Sequence, residues 1–166
     1  MKKISLLIII TFFLTSVTAF AQKKEVGGEF SLGARFGGTV GATLKRHGAY
    51  NGSAIEFIAQ FKNFDESNPD LDGFSLTGLY QKLAPLSGSS QLSALLGGGL
   101  SMNFKDDFNL GVSAMVGFDW RLKGVPITLQ VDWMPTYFFI NTSEFTLSNA
   151  AFSARYVLNR KRYDRK

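Results

Sequence analysis

From Gly111 to Lys123 apolar and polar side chains alternate almost without a break. Val112, Ala114, Val116, Phe118, Trp120 and Leu122 share one parity, while Gly111, Ser113, Met115, Gly117, Asp119, Arg121 and Lys123 share the other. A period of two belongs to strands, because successive Cβ atoms point to opposite sides of a pleated backbone. A helix cannot sort these residues onto two faces, so the segment is committed to a sheet with one greasy and one hydrophilic side. After a short turn around Gly124, Ile127, Leu129, Val131 and Trp133 alternate with Thr128, Gln130, Asp132 and Met134, and the two segments read as a hairpin.

The same test finds six further segments. Phe30, Leu32, Ala34 and Phe36 mark the first strand, and Val40, Ala42 and Leu44 the second. Ile55, Phe57, Ala59 and Phe61 mark the third; Phe74, Leu76, Gly78 and Tyr80 the fourth; Leu92, Ala94, Leu96, Leu100, Met102 and Phe104 the fifth. The last runs from about Phe145 to Leu158 and carries Phe152, Ala154, Tyr156 and Leu158. Connections alternate in character: turn-like after strands two, four and six, polar or charged after three, five and seven. Only the connection at Gly37-Gly38 is too short for that rule. Pro135 cannot donate to a ladder and is expected near a rim or at a bulge.

Where such a sheet would sit is read from the first residues. Lys2 and Lys3 precede an apolar run from Ile4 to Leu14 and the small-x-small pattern Ala19-Phe20-Ala21. This is the anatomy of a secretory signal peptide, expected to be removed after Ala21. Thr11, Thr15, Ser16 and Thr18 dilute the run below what a spanning helix needs. Residues 22–158 are then one domain, and residues 159–166 a basic tail. The chain has no cysteine, which excludes disulfides and a lipidated amino terminus. Net charge is +5, or +3 without Lys2 and Lys3, and much of the excess lies in the tail, so nucleic-acid binding has little support.

A soluble lipocalin-like barrel also alternates, but it dresses its polar face with Lys and Glu. Here that face is mostly Gly, Ser, Thr, Asn and Gln, which suits the narrow interior of an eight-stranded barrel. Aromatics supply a second argument. With strands running up and down, Phe36, Phe61, Phe74, Phe104, Tyr137 and Phe145 are expected near one end, and Tyr80, Trp120 and Tyr156 near the other. Two aromatic rings around an aliphatic band form the girdle pattern of lipid-facing barrels. The expected fold is therefore all-β: an eight-stranded antiparallel up-and-down transmembrane β-barrel in a bacterial outer membrane.

Gly33-Ala34-Arg35-Phe36-Gly37-Gly38-Thr39, Gly73-Phe74-Ser75-Leu76-Thr77-Gly78-Leu79-Tyr80, Leu129 to Pro135 and Ser153-Ala154-Arg155-Tyr156 resemble the small outer-membrane barrels of the OmpA and OmpX type, and more closely the short barrels of Bacteroidetes-like bacteria. The resemblance covers the mature chain. It implies outer-membrane lipid and the barrel-insertion machinery as partners, and no cofactor. One departure is the end: such barrels usually finish on an aromatic residue, whereas this chain continues past Leu158.

Glu29, Arg35, Glu56, Gln60, Asp119, Arg121, Gln130, Asp132 and Arg155 should all point into the lumen as a compensated cluster that plugs it, since an unpaired charge there is costly. A structural or surface-interaction role follows. A narrow pore for ions or small solutes is the alternative, and a periplasmic ligand-binding barrel the third reading. His47 is the sole histidine and lies beside a predicted turn, so no Ser/His/acid site can be assembled and no enzyme is expected. Asp65 to Gly73 lacks the spacing of a calcium loop, and Gly97-Gly98-Gly99 reads as crowded backbone with no helix after it to make a phosphate cradle.

Overall fold

Each alternating run becomes a strand in the computed structural model, which describes residues 28–48, 52–63, 73–86, 91–104, 108–141, 143–147 and 149–158. The expected signal peptide, the basic tail and the acidic stretch from Asp65 to Asp72 lie outside the described residues. The strands are β1 (Phe30–Gly37), β2 (Thr39–His47), β3 (Ser53–Asn63), β4 (Phe74–Pro85), β5 (Leu92–Phe104), β6 (Phe108–Arg121), β7 (Ile127–Trp133), β8 (Thr136–Phe138), β9 (Glu144–Thr146) and β10 (Ala150–Val157). There is no helix among the described residues.

The strands close on themselves. Antiparallel neighbours run β5-β4-β3-β2-β1-β10-β7-β6, and β5 pairs with β6 to complete the circle. Closure satisfies both edges of every full-length strand, the solution a sheet needs if no edge is to stay open. Between first and last strand, Gly33 pairs with Arg155 and Arg35 with Ser153, and the Leu158 N–H donates to the Phe30 carbonyl at 2.8 Å. That end, where β1 begins and β10 finishes, is called terminal below, and the opposite end distal.

Ten strand segments make eight staves. β7 and β8 keep one register against β6, with Val116 opposite Trp133 and Ser113 opposite Thr136. They are interrupted only at Met134-Pro135, where the Ala114 N–H still donates to the Pro135 carbonyl at 3.0 Å. Pro135 has no N–H to give back, so regular pairing stops there. It sits within the stave and not at its rim. The neighbouring stave, β9 with β10, absorbs the disruption as a bulge. Thr136 faces Thr146 and Trp133 faces Ala150, so the two positions between Trp133 and Thr136 are matched by one more position between Thr146 and Ala150. The extra residue lets both Thr146 and Asn149 point inward.

Sidedness is consistent around the ring. Phe57, Val131, Phe118, Leu100 and Tyr156 stand outward with more than half of their surface exposed, at 59, 57, 54, 52 and 56 %. Their neighbours in sequence face inward and are buried, among them Glu56, Gln130, Asp132, Asp119 and Arg155. The β1–β2 connection turns at Gly38, while β5 and β6 continue to Phe104 and Phe108, so the distal rim is low on one side and high on the other.

Candidate functional site

Because the polar parity faces inward on every stave, the barrel axis is where its chemistry gathers. Arg35 on β1, Lys45 on β2 and Arg155 on β10 meet Glu56 on β3, Asp119 on β6 and Asp132 on β7. Arg35 Nη1 donates to Asp132 Oδ2 at 2.7 Å, and Nη2 lies 2.7 Å from Oδ1 as an ion-pair contact. Lys45 Nζ lies 2.7 Å from Asp119 Oδ2 and donates to Gln130 Oε1 at 2.8 Å. Arg155 pairs closely with Glu56, reaches Asp119 at 3.8 Å, and donates to Thr43 Oγ1 at 3.2 Å and Gln130 Oε1 at 2.9 Å.

Glu56 also accepts from Thr43 and Gln81, each at 2.5 Å. Gln130 is the hub: its carbonyl accepts from Lys45 and Arg155, and its amide donates to Asp132 at 2.8 Å. Three cations face three carboxylates, and their ties run between non-neighbouring staves. Stripping one partner from such a buried pair costs about 3–5 kcal/mol. Balance of this kind is what keeps a charged interior compatible with folding.

Of the sequence-predicted residues, Arg35, Glu56, Asp119, Gln130, Asp132 and Arg155 are in this cluster. Gln60 lies nearer the distal end, donating to Thr39 Oγ1 at 2.5 Å and to Asn149 Oδ1 at 3.4 Å. Glu29 and Arg121 pair with each other at 3.2 Å at the terminal end, apart from the rest. Lys45, Thr43 and Gln81 were not expected, although each has the inward parity of its strand. His47 ends β2, is buried, and its backbone N–H donates to the Glu29 carbonyl at 2.9 Å.

Two further interior features were not anticipated. Ile58, Leu79, Leu95, Met115 and Met134 form an apolar cluster inside the barrel, with Leu83 against it. Gln81 Nε2 lies 3.1 Å from Met115 Sδ, where this cluster touches the ionic one. Nearer the distal end a chain of hydroxyls crosses four staves, Thr77 to Ser101 at 2.7 Å, Ser101 to Ser113 at 2.6 Å and Ser113 to Thr136 at 2.7 Å.

The outward aromatics fall into groups. Phe61, Phe74, Phe104 and Phe108 follow one another around the distal end with ring centroids 5.2, 6.1 and 5.6 Å apart, and Tyr137 lies 6.4 Å from Phe145. Phe36 is next to last in β1, at the distal end of its own short strand, but it pairs with Phe152, which the bulge separates from Phe145, so it lies lower on the wall than the others. Trp120 and Tyr156 are near the terminal ends of β6 and β10, whereas Tyr80 is midway along β4, opposite Ile55 and Gly98. Trp133 also faces outward, and its indole N–H donates to the Leu147 carbonyl at 2.5 Å, capping a group that the bulge frees.

Comparison with protein-family models, with curated proteins and with solved structures gave no match. The geometry therefore stands by itself.

Proposed function

We propose that this barrel spans a bacterial outer membrane with its lumen filled, and serves there as a structural or surface-interaction element. The observation that carries the reading is the distribution of its side chains: large apolar groups such as Phe57, Leu100, Val131 and Phe118 stand outward, while Arg35, Lys45, Arg155 and their carboxylates fill the axis. Burying one Leu or Phe side chain is worth about 1.5–3 kcal/mol. Leaving the whole outer wall in water forfeits on the order of tens of kcal/mol, more than the roughly 5–15 kcal/mol by which domains are stable. Hydrocarbon removes that penalty, and a closed barrel is one of the two structures that satisfy the backbone within it.

The bond from Trp133 to Leu147 supports the same reading, because a carbonyl released toward lipid has no water to turn to. On this reading the likeness to OmpA- and OmpX-type barrels is one of architecture, and the insertion machinery is the partner during biogenesis. The cross-braced lumen favours a plug over a pore. Detergent extraction of the outer-membrane fraction followed by gel electrophoresis with and without boiling tests the first claim: fold-dependent migration is expected, and recovery in the soluble periplasmic fraction overturns it. Planar-bilayer recording tests the second, with steady resolved openings as the contrary result.

A further inference from the structure

Charge on the described outer wall is one-sided. Among residues whose side chains the structure describes, the carboxylates of Glu29, Glu56, Asp119 and Asp132 all lie within the barrel, whereas Arg46, Lys82 and Lys123 stand outside it at the terminal end. Arg46 and Lys82 belong to one patch. Arg46 pairs across the strands with Phe30 and Ile55, Ile55 pairs with Tyr80, and Lys82 pairs with Ser53, the first residue of β3. The Arg46 guanidinium sits 5.2 Å from the Phe30 ring centroid, and Lys82 Nζ sits 5.6 Å from that of Tyr80. Neither cation is ion-paired among the described residues.

We propose that Arg46 and Lys82, each seated on an outward aromatic ring, form a binding surface for anionic phospholipid headgroups in the leaflet at the terminal end. The inference rests on the membrane-spanning reading and adds a lipid class to it. Phe30 opens β1 at the terminal end, where aromatic rings settle at the height of headgroups, and Lys82 lies two residues nearer that end than Tyr80. Long basic side chains lay their stems on apolar surface while presenting the charge to the headgroup layer. The two cations are on staves two apart, roughly 10 Å across the sheet. A zwitterionic headgroup brings its own compensating ammonium, so two cations with no outward acid beside them among the described residues select a lipid with net negative charge.

The test uses the full chain in phosphatidylcholine vesicles, with spin-labelled phosphatidylglycerol and phosphatidylcholine competing for its perimeter. The native chain is expected to prefer phosphatidylglycerol, and Arg46→Gln and Lys82→Gln each to lower that preference by about fivefold. The exchange Arg46→Lys with Lys82→Arg keeps both charges and keeps the preference. A double Gln variant that inserts normally yet retains the native selectivity overturns the inference, as does a native chain that does not discriminate between the lipids. A chain that fails to enter pure phosphatidylcholine vesicles overturns the membrane-spanning reading instead, so the two failures are distinguishable.

Discussion

Arg155 on the last stave and Glu56 on the third meet inside the barrel, both fully screened from solvent. β1 and β2 lie between them, so the pair ties the closing strand to a wall that it does not touch by backbone. Arg155→Met leaves Glu56 without its main partner and should cost about 3–5 kcal/mol. Adding Glu56→Gln to the same chain should restore part of that loss, because neither charge is then stranded. Urea unfolding in detergent micelles, followed by tryptophan fluorescence, measures both; strict additivity of the two substitutions would contradict the coupling.

Gly33 occupies the tightest point of the seam. A Cβ there would overlap the Ala154 carbonyl and crowd the Cα of Arg155. Gly33→Val is therefore expected to prevent closure and to abolish the fold-dependent band on a gel. Gly78→Ala is the matched control, since its Cβ would meet only the Phe57 ring at 3.5 Å, and it should fold normally.

Much of this was readable in the chain. The parity from Gly111 to Lys123 fixed which side chains of β6 face in, including Asp119. What parity alone conceals is character. Met115, Ile58 and Leu79 have the inward phase, yet their chemistry matches the outward set, so the apolar cluster in the interior was not anticipated. Lys45 and Gln81 have the inward phase too. The bulge was legible in hindsight: Phe145 and Phe152 both stand outward although their numbers differ in parity, which is impossible without an extra residue between them. Proline signalled a break in pairing, but where along the stave it would lie depends on register against β6, which no local pattern specifies.

Val116 faces outward near the middle of β6. In a bilayer Val116→Arg should destabilise the barrel by about 2–4 kcal/mol, whereas in a water-soluble barrel an exposed arginine would be close to neutral. Equilibrium unfolding in vesicles of defined thickness separates the two outcomes.

Trp133→Phe keeps the ring and removes the donor to Leu147. If that carbonyl faces hydrocarbon, its lost bond should cost about 1–3 kcal/mol. Trp120→Phe, which keeps an outward ring near the terminal end, should cost less. The same unfolding titration compares them, and equal losses would argue against a capping role.

The early turn at Gly38 gives the molecule a front and a back. Where β1 and β2 stop, the neighbouring staves go on climbing, so the hairpins β5–β6 and β8–β9 rise together as an off-centre crest. Along the axis from the distal side, the described strands thus form a ramp, with one flank of the wall ahead of the other.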